Sequence, residues 1–564
     1  IMALKLSESP NIVVKEIDLS GVVPAVTSST GALVGDFNWG PAEQPILVGN
    51  EAELAANFGA PSLEGGATST DFLSAAYFLK YSTNTFVTRA VADSDYNAVA
   101  AGSTTTQVKN LDDFNGQTLT SEKIIAKYPG TVGNSLKVSI CPAVDSAFEN
   151  WAYVSSFDAA PSTSDYVSSR SSATGDEVHV VVVDEDGVLT GSKGTVLETF
   201  PFVSLVSDAK TSDGSSNYAL DALNDRSAYV WGGAIDFNTA PVSSWDSAAG
   251  VDVVDYSLTS GNRVSKSVGD YLTAFDQYED DDTIQIDFLI APQMASQVDQ
   301  TTIITDLVST ATARKDCVVV ASPNRDAVVG INNPATVVSN VKTFADAQSA
   351  SSYLVLDNNF LKVYDKYNDE YVFIPAASST AGLMASTDFT SAPWFSPAGS
   401  RRGQYLGVTS LAYSATKSQR DTLYKASVNP IVNLPGQGIL LYGDKTKLGR
   451  PSAFDRINVR RLFLVMERAI KQAAQGVMFE FNDEFTRAEF VNIVEPFLRE
   501  IKGRRGISDF RVVCDETNNT ADVIDNNSFV ASIFVKPARS INYVTLNFVA
   551  VRTGVDFEEV VGIV

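Results

Sequence analysis

Residues 284–321 read IQIDFLIAPQMASQVDQTTIITDLVSTATARKDCVVVA. Two short apolar runs, Ile284 to Ile290 and Cys317 to Ala321, flank a stretch around Ile303 to Ala313 with helical spacing of its apolar residues. Strand, helix, strand in that order predicts a parallel or mixed sheet with helices packed on it, since parallel strands need a long crossover between them. Tyr353 to Leu356 predicts a further strand. Next, Leu361-Lys362-Val363-Tyr364 and Tyr371-Val372-Phe373-Ile374, joined by Lys366-Tyr367-Asn368-Asp369, predict a hairpin. A similar unit stands at 25–100. There Ala32-Leu33-Val34-Gly35, Ile46-Leu47-Val48 and Thr85 to Val91 predict strands, Glu51 to Asn57 a short helix, and Phe72, Ala75, Ala76 and Leu79 a longer one.

Between these α/β stretches, residues 101–255 change character: Ser, Thr, Asp and Gly dominate, and short strand signals such as Val178-His179-Val180-Val181-Val182-Val183 recur. This predicts a β-rich inserted domain. Beyond 429 two amphipathic helices are expected. One spans 453–475, with Val459, Leu462, Phe463, Met466, Ile470 and Ala473 on one face. The other opens with a capping box between Thr486 and Glu489 and carries Phe490, Ile493, Val494, Phe497, Leu498 and Ile501. Pro496 should kink or weaken the second, and Gly503 should end it. Both ends of the chain read as arms. Ile12-Val13-Val14-Lys15-Glu16-Ile17 is β-prone with no partner near in sequence. Ile541 to Arg552 alternates, with Val544, Leu546 and Phe548 on one face, ahead of a tail through Phe557-Glu558-Glu559-Val560-Val561. A lone strand must satisfy its backbone groups on something distant or on another molecule. With 564 residues, too many for one core, the expected class is α/β (α+β) multidomain. Its expected parts are an N-terminal arm (1–24), a core from 25–100 plus 256–428, a β-rich outward insertion (101–255), an α/β C-terminal domain (429–540) and a C-terminal strand and arm (541–564).

The residues offer little chemistry. The one histidine, His179, sits in a Val-rich run and reads as structural. Gly443-Asp444-Lys445-Thr446 lacks the upstream glycine of a phosphate loop, and no G-x-S-x-G elbow is present. Glu279-Asp280-Asp281-Asp282 lacks the alternating ligand spacing of a calcium loop and reads as a solvated turn. Cys141, Cys317 and Cys514 are too few and too far apart for a disulfide framework. Neither a signal peptide nor an apolar run of membrane-spanning length is visible. No cofactor and no metal are expected. The net charge of −25 is uneven: residues 1–429 hold 25 Lys and Arg against 50 Asp and Glu, residues 430–564 hold 17 of each, and 431–512 hold 14 basic and 10 acidic residues. An acidic body opposes nucleic-acid binding.

The C-terminal half carries Asn429-Pro430-Ile431, Gly436-Gln437-Gly438, Gly443-Asp444-Lys445-Thr446, Ile457 to Leu462, Phe479-Glu480-Phe481-Asn482 and Phe497-Leu498. The N-terminal side carries Gly31 to Gly35, Gly40-Pro41, Pro45, Phe58-Gly59 and Thr85 to Ala90. In order and spacing these resemble the contractile tail sheath proteins of long-tailed phages and related injection systems, over about 25–100 and 260–564. The resemblance implies a structural protein and not an enzyme, in hexameric rings stacked helically around a tail tube and bounded by baseplate and tail terminator proteins. It implies a virion component assembled in the host cytoplasm, without membrane insertion, whose contraction drives the tube through the host envelope for genome ejection. It places the C-terminal domain against the tube, the insertion outside, and the two arms as strands added to neighbouring subunits. The basic balance of 431–512 then makes Arg487, Lys502, Arg504 and Arg505 the expected tube-facing residues, in a contact sensitive to ionic strength. Two other readings compete: the sheath of a phage-derived bacteriocin or injection particle and, from another class, a glycan-binding or hydrolytic protein.

Overall fold

The computed structural model describes residues 29–61, 67–170, 174–234 and 253–540. Chain contacts divide the described residues into a large unit, up to Met478, and a small unit, from Phe479 on. Chain order opens with β1 (Gly31–Gly35), β2 (Ile46–Val48) and β3 (Thr85–Arg89), then β4 (Val99–Ala100), β5 (Ile124–Ala126), β6 (Leu136–Pro142), β7 (Glu177–Asp184), β8 (Thr195–Ser204), β9 (Val230–Gly232) and β10 (Val254–Ser257). It continues through β11 (Phe288–Ile290), β12 (Val318–Ala321), β13 (Leu354–Asp357), β14 (Phe360–Asp365), β15 (Glu370–Pro375), β16 (Ser410–Leu411), β17 (Val428–Asn429), β18 (Ile431–Leu434) and β19 (Gly438–Leu441). The small unit holds β20 (Ile507–Val513) and β21 (Ser532–Pro537). The helices used below are α1 (Glu51–Phe58), α2 (Ala67–Phe78), α3 (Val268–Phe275), α4 (Gln297–Arg314), α5 (Pro334–Ala347), α6 (Ala377–Thr390), α7 (Ile457–Gln475) and α8 (Glu484–Gly503).

The strand–helix–strand of 284–321 becomes β11, α4 and β12, and the two strands pair in parallel with Phe288 opposite Val318. They lie in a seven-stranded sheet of order β17-β13-β12-β11-β1-β3-β2, parallel except for β2, which runs antiparallel to β3 at its edge. β11, β12 and β13 are buried along their whole length. That explains their uninterrupted apolar sequence, since a parallel sheet is covered on both faces. Leu33, Phe288, Ile290 and Val320 turn toward Phe72 and Phe78 of α2, Met384 of α6, and Ile457 and Leu464 of α7. The alternate residues Ala32, Leu289, Val319 and Leu356 turn toward Phe275 of α3, Leu307 of α4 and Phe344 of α5. Gly31 lets α2 close on the sheet, because a Cβ there would stand 2.6 Å from the Phe78 ring. The expected hairpin forms as β14 and β15, with Leu361 opposite Ile374.

The described residues between β3 and α3 form the insertion. β10-β6-β7-β8 make a four-stranded antiparallel sheet and β4-β5-β9 a three-stranded one. The chain enters and leaves it through a buried polar root. Arg263 meets Asp36 at 2.6 Å, and Lys266 meets Asp95 at 2.7 Å and Asp36 at 3.5 Å. Asp71 of α2 accepts from the Asp36 backbone N–H and the Tyr271 hydroxyl, each at 2.9 Å. Arg89 donates to the carbonyls of Phe37, Gly40 and Pro129. Burial pushes the Asp71 carboxyl up to about 7.

Three expectations change at the C-terminal end. The domain boundary expected at 429 falls at 478/479 by chain contacts. β17 joins the large sheet beside β13, and α7 packs beneath that sheet, so these segments belong to the large unit. The helix expected from 453 begins at Ile457, after a tight turn at Ala453–Asp455. The capping box is displaced by one turn: Asp483 is the cap of α8 and its carboxylate accepts from the Thr486 N–H at 2.8 Å, while Thr486 is itself helical. α8 ends at Gly503 and runs unbroken through Pro496. Pro496 and Asn492 both lie on its exposed side, where water can take the carbonyl that the proline leaves unpaired.

Candidate assembly surface

The small unit's described part is a long helix, α8, on one hairpin, with a short helical turn at Ala521–Asp525 between the hairpin's strands. Phe490, Val494, Leu498 and Ile501 recur on one face of α8 and are buried. The hairpin pairs β20 with β21 antiparallel, Arg511 opposite Phe534 and Val513 opposite Ser532. Asp509, Arg511, Phe534 and Lys536 share its outward face and are exposed. Among the described residues no third strand joins either edge. Two strands alone are marginal in water, and their unpaired backbone groups invite a further strand. The candidate arm residues Ile12, Val13, Val14, Lys15, Glu16, Ile17, Val544, Leu546 and Phe548 lie outside the described residues.

The expected tube-facing set divides. Arg487 is buried: its guanidinium donates to the carbonyl and side-chain oxygens of Asn482. Asn482 in turn donates to the Ser528 carbonyl, so Arg487 braces the start of α8 and offers no free charge. Lys502, Arg504 and Arg505 are exposed at the other end of that helix. Lys502 meets Asp509 at 3.0 Å and Arg504 meets Glu500 at 3.5 Å, while Arg505 has a left-handed backbone, φ 67°.

The basic excess of 431–512 is largely spent inside the large unit. On α7, Arg468 donates to Asp287 at 2.8 Å and to the carbonyls of Ile286 and Asp316. Arg461 grips both oxygens of Asp388, at 2.7 and 2.5 Å, and lies over the Phe288 ring. Arg460 bonds Ser352 and stacks on Tyr353 and Phe454. Arg456 meets Asp444 at 2.8 Å, and Lys471 meets Asp281 at 2.5 Å, within the acidic turn read from sequence. Burial raises the Asp287 carboxyl and the Arg468 charge opposes that rise. These arginines pin α7 under the sheet, so charge counting over 431–512 did not measure a surface.

Sequence reading missed an apolar run beside α8. Phe481 and Phe485 are exposed and Phe479 is 99% so, with a left-handed φ of 69° that a bulky residue adopts only under constraint. The alternating aromatics of FEFNDEF were the available signal.

Residues 265–447 match the model of the phage tail sheath protein central domain, and residues 450–550 that of the phage tail sheath C-terminal domain. The chain is similar to the tail sheath protein of Enterobacteria phage T4, at 32% identity across 98% of this chain and 99% of that protein. It is similar to the tail sheath protein of Salmonella phage ViI, at 33% identity across 94% of each. Its fold resembles the crystal structure of a sheath tail protein from Listeria innocua, with a TM-score of 0.53, 13% identity, and 92% of this chain covering 97% of that one.

Proposed function

The chain belongs to the phage tail sheath family and is a structural subunit of a contractile tail sheath; on that premise, we propose that it polymerises as stacked hexameric rings around a tail tube, between baseplate and tail terminator. Strands from the terminal arms of neighbouring subunits complete the β20–β21 sheet. Backbone pairing of that kind links subunits while the units themselves turn, so the polymer shortens without coming apart. The extended form is metastable, and contraction buries further surface, drives the tube through the host envelope and ejects the genome. Assembly takes place in the host cytoplasm and the product is part of the virion.

The observation that carries this reading is a two-stranded sheet, open on both edges among the described residues, in a chain whose two ends are β-prone. Its exposed neighbours Phe479, Phe481 and Phe485 are a second surface that assembly would cover. Deleting residues 1–20 tests it. The expected result is soluble subunits that form no tubes under electron microscopy; tubes of normal length and width from that protein would refute the arm linkage.

A further inference from the structure

His179, the chain's one histidine, is fully buried on β7. Its Nε2 lies 2.8 Å from the Ala159 carbonyl, and its Nδ1 lies 3.1 Å from the backbone N–H of Phe202. An N–H must meet a lone pair and a carbonyl must meet a proton, so the ring is neutral with its proton on Nε2. Phe157 stacks on the ring at 4.2 Å between centroids, Phe202 meets it edge-on at 4.6 Å, and Phe148 stands at 5.8 Å.

Both partners sit at irregular places. The β7–β8 register slips here, with Val178 opposite Val203 but Val180 opposite Phe200, and Phe202 has a left-handed φ of 51°. The imidazole thus satisfies a bulge N–H. Ala159 belongs to residues 143–170, part of an excursion between β6 and β7. It lies over the face of the inserted sheet that carries Ser139, Cys141 and Val181. Trp151 ties it down by donating to Ser139 Oγ at 2.8 Å and stacking on Phe157.

We propose that His179 is a proton-operated latch that holds the 143–170 excursion on the inserted sheet while neutral and releases it when protonated. A second proton goes to Nδ1, which turns from acceptor to donor and faces the Phe202 N–H. One hydrogen bond is lost, two donors oppose each other, and a charge stands among aromatic rings; the Ala159 and Val178 backbones favour the charged form, and burial outweighs them. The nearby ionisable groups are otherwise engaged or exposed. Glu177, on the same strand, accepts from Ser162; Asp176 accepts from Ser164 and Ser204; Asp158 is exposed; and the Cys141 thiol, across the ladder, is pushed up to about 12 by burial. Burial pulls the imidazole below its usual 6.5. The folded pKa is therefore below the unfolded one. The latch is whole above about 6.5 and weakens as pH falls toward the folded value, by up to about tenfold in the opening equilibrium per pH unit.

The test is hydrogen exchange on the full chain between about pH 7.5 and 5, corrected for intrinsic rates, beside a nitrogen-15 titration of the single imidazole. Residues 148–160 should exchange up to about tenfold faster per unit below pH 6.5, with β12 unaffected. His179→Gln should abolish that slope and Glu177→Gln should keep it. Equal slopes in the wild type and His179→Gln, or loss of the slope in Glu177→Gln, overturn the proposal. If His179→Gln does not fold, the imidazole decides alone: a pKa at or above 6.5, or a proton on Nδ1 in the neutral form, overturns it, and a depressed pKa with the proton on Nε2 supports it.

Discussion

Three buried aspartates of the large unit and three exposed ones of the small unit behave in opposite ways. In the large unit, burial pushes Asp71 and Asp357 up to about 7 and raises Asp287. In the small unit, Asp483 is lowered by the Thr486 N–H, Asp509 by Lys502 and Asp515 by Thr517. The large unit closes a seven-stranded sheet under helices on both faces and takes these three carboxylates inside, while Asp184, against its burial, and Asp281 are held low by hydrogen bonds. The small unit has two strands, half-exposed, and its carboxylates stay in water. One unit closes its sheet inside a core; the other, among the described residues, leaves both edges of its sheet unpaired.

Breaking the large unit's side should produce the largest effect. Arg468→Ala leaves Asp287 buried without its guanidinium and should cost about 3–5 kcal/mol, read as a lower denaturation midpoint of the free subunit. A midpoint unchanged from wild type would mean that water reaches Asp287. Asp71→Asn sharpens the contrast. The folded pKa of Asp71 lies above the unfolded value, so its proton stabilises the fold at low pH. That contribution is whole below about 4 and is lost as pH rises to about 7. The wild type's stability relative to Asp71→Asn should therefore fall with rising pH across that window, by up to ~1.4 kcal/mol per unit. A pH-independent difference in urea titrations would exclude this. The smallest effect on the subunit comes from the small unit: replacing Lys502, Arg504 and Arg505 with Glu should leave its thermal midpoint in place, since exposed pairs contribute little. The same change should reduce the sheath found on assembled tubes, most at low salt. Full loading would remove these residues from the tube contact.

Much of the large unit was legible because its signals are local and redundant. The runs at 284–290 and 317–321, the α4 spacing and the 361–374 hairpin each follow from periodicity, and each forms, the first as a strand only over Phe288–Ile290. The displaced boundary was illegible for a physical reason. α7 reads as an amphipathic helix of a C-terminal domain, but Arg460, Arg461 and Arg468 are buried, and their hydrogen-bond partners Ser352, Asp388 and Asp287 lie 108, 73 and 181 residues away in the chain. A sequence shows their charge and not their partners. Arg487 misled in the same way, as a cation in a helix's first turn that proved to be a brace. The displaced cap at Asp483 is a smaller case: Thr486-Arg487-Ala488-Glu489 has a suitable pattern, but Asp483, three residues earlier, caps first.

The way α7 is fastened has a mechanical consequence. Tension carried through the backbone at 478/479 enters the large unit at the C-terminal end of this helix. It meets Lys471 first, an exposed tie to Asp281, then the buried Arg468, then Arg461, which holds Asp388 with two hydrogen bonds. The fasteners therefore stiffen inward. A small pull spends itself on a surface pair that re-forms in water at little cost, and only a large one reaches the anchors that keep the body whole.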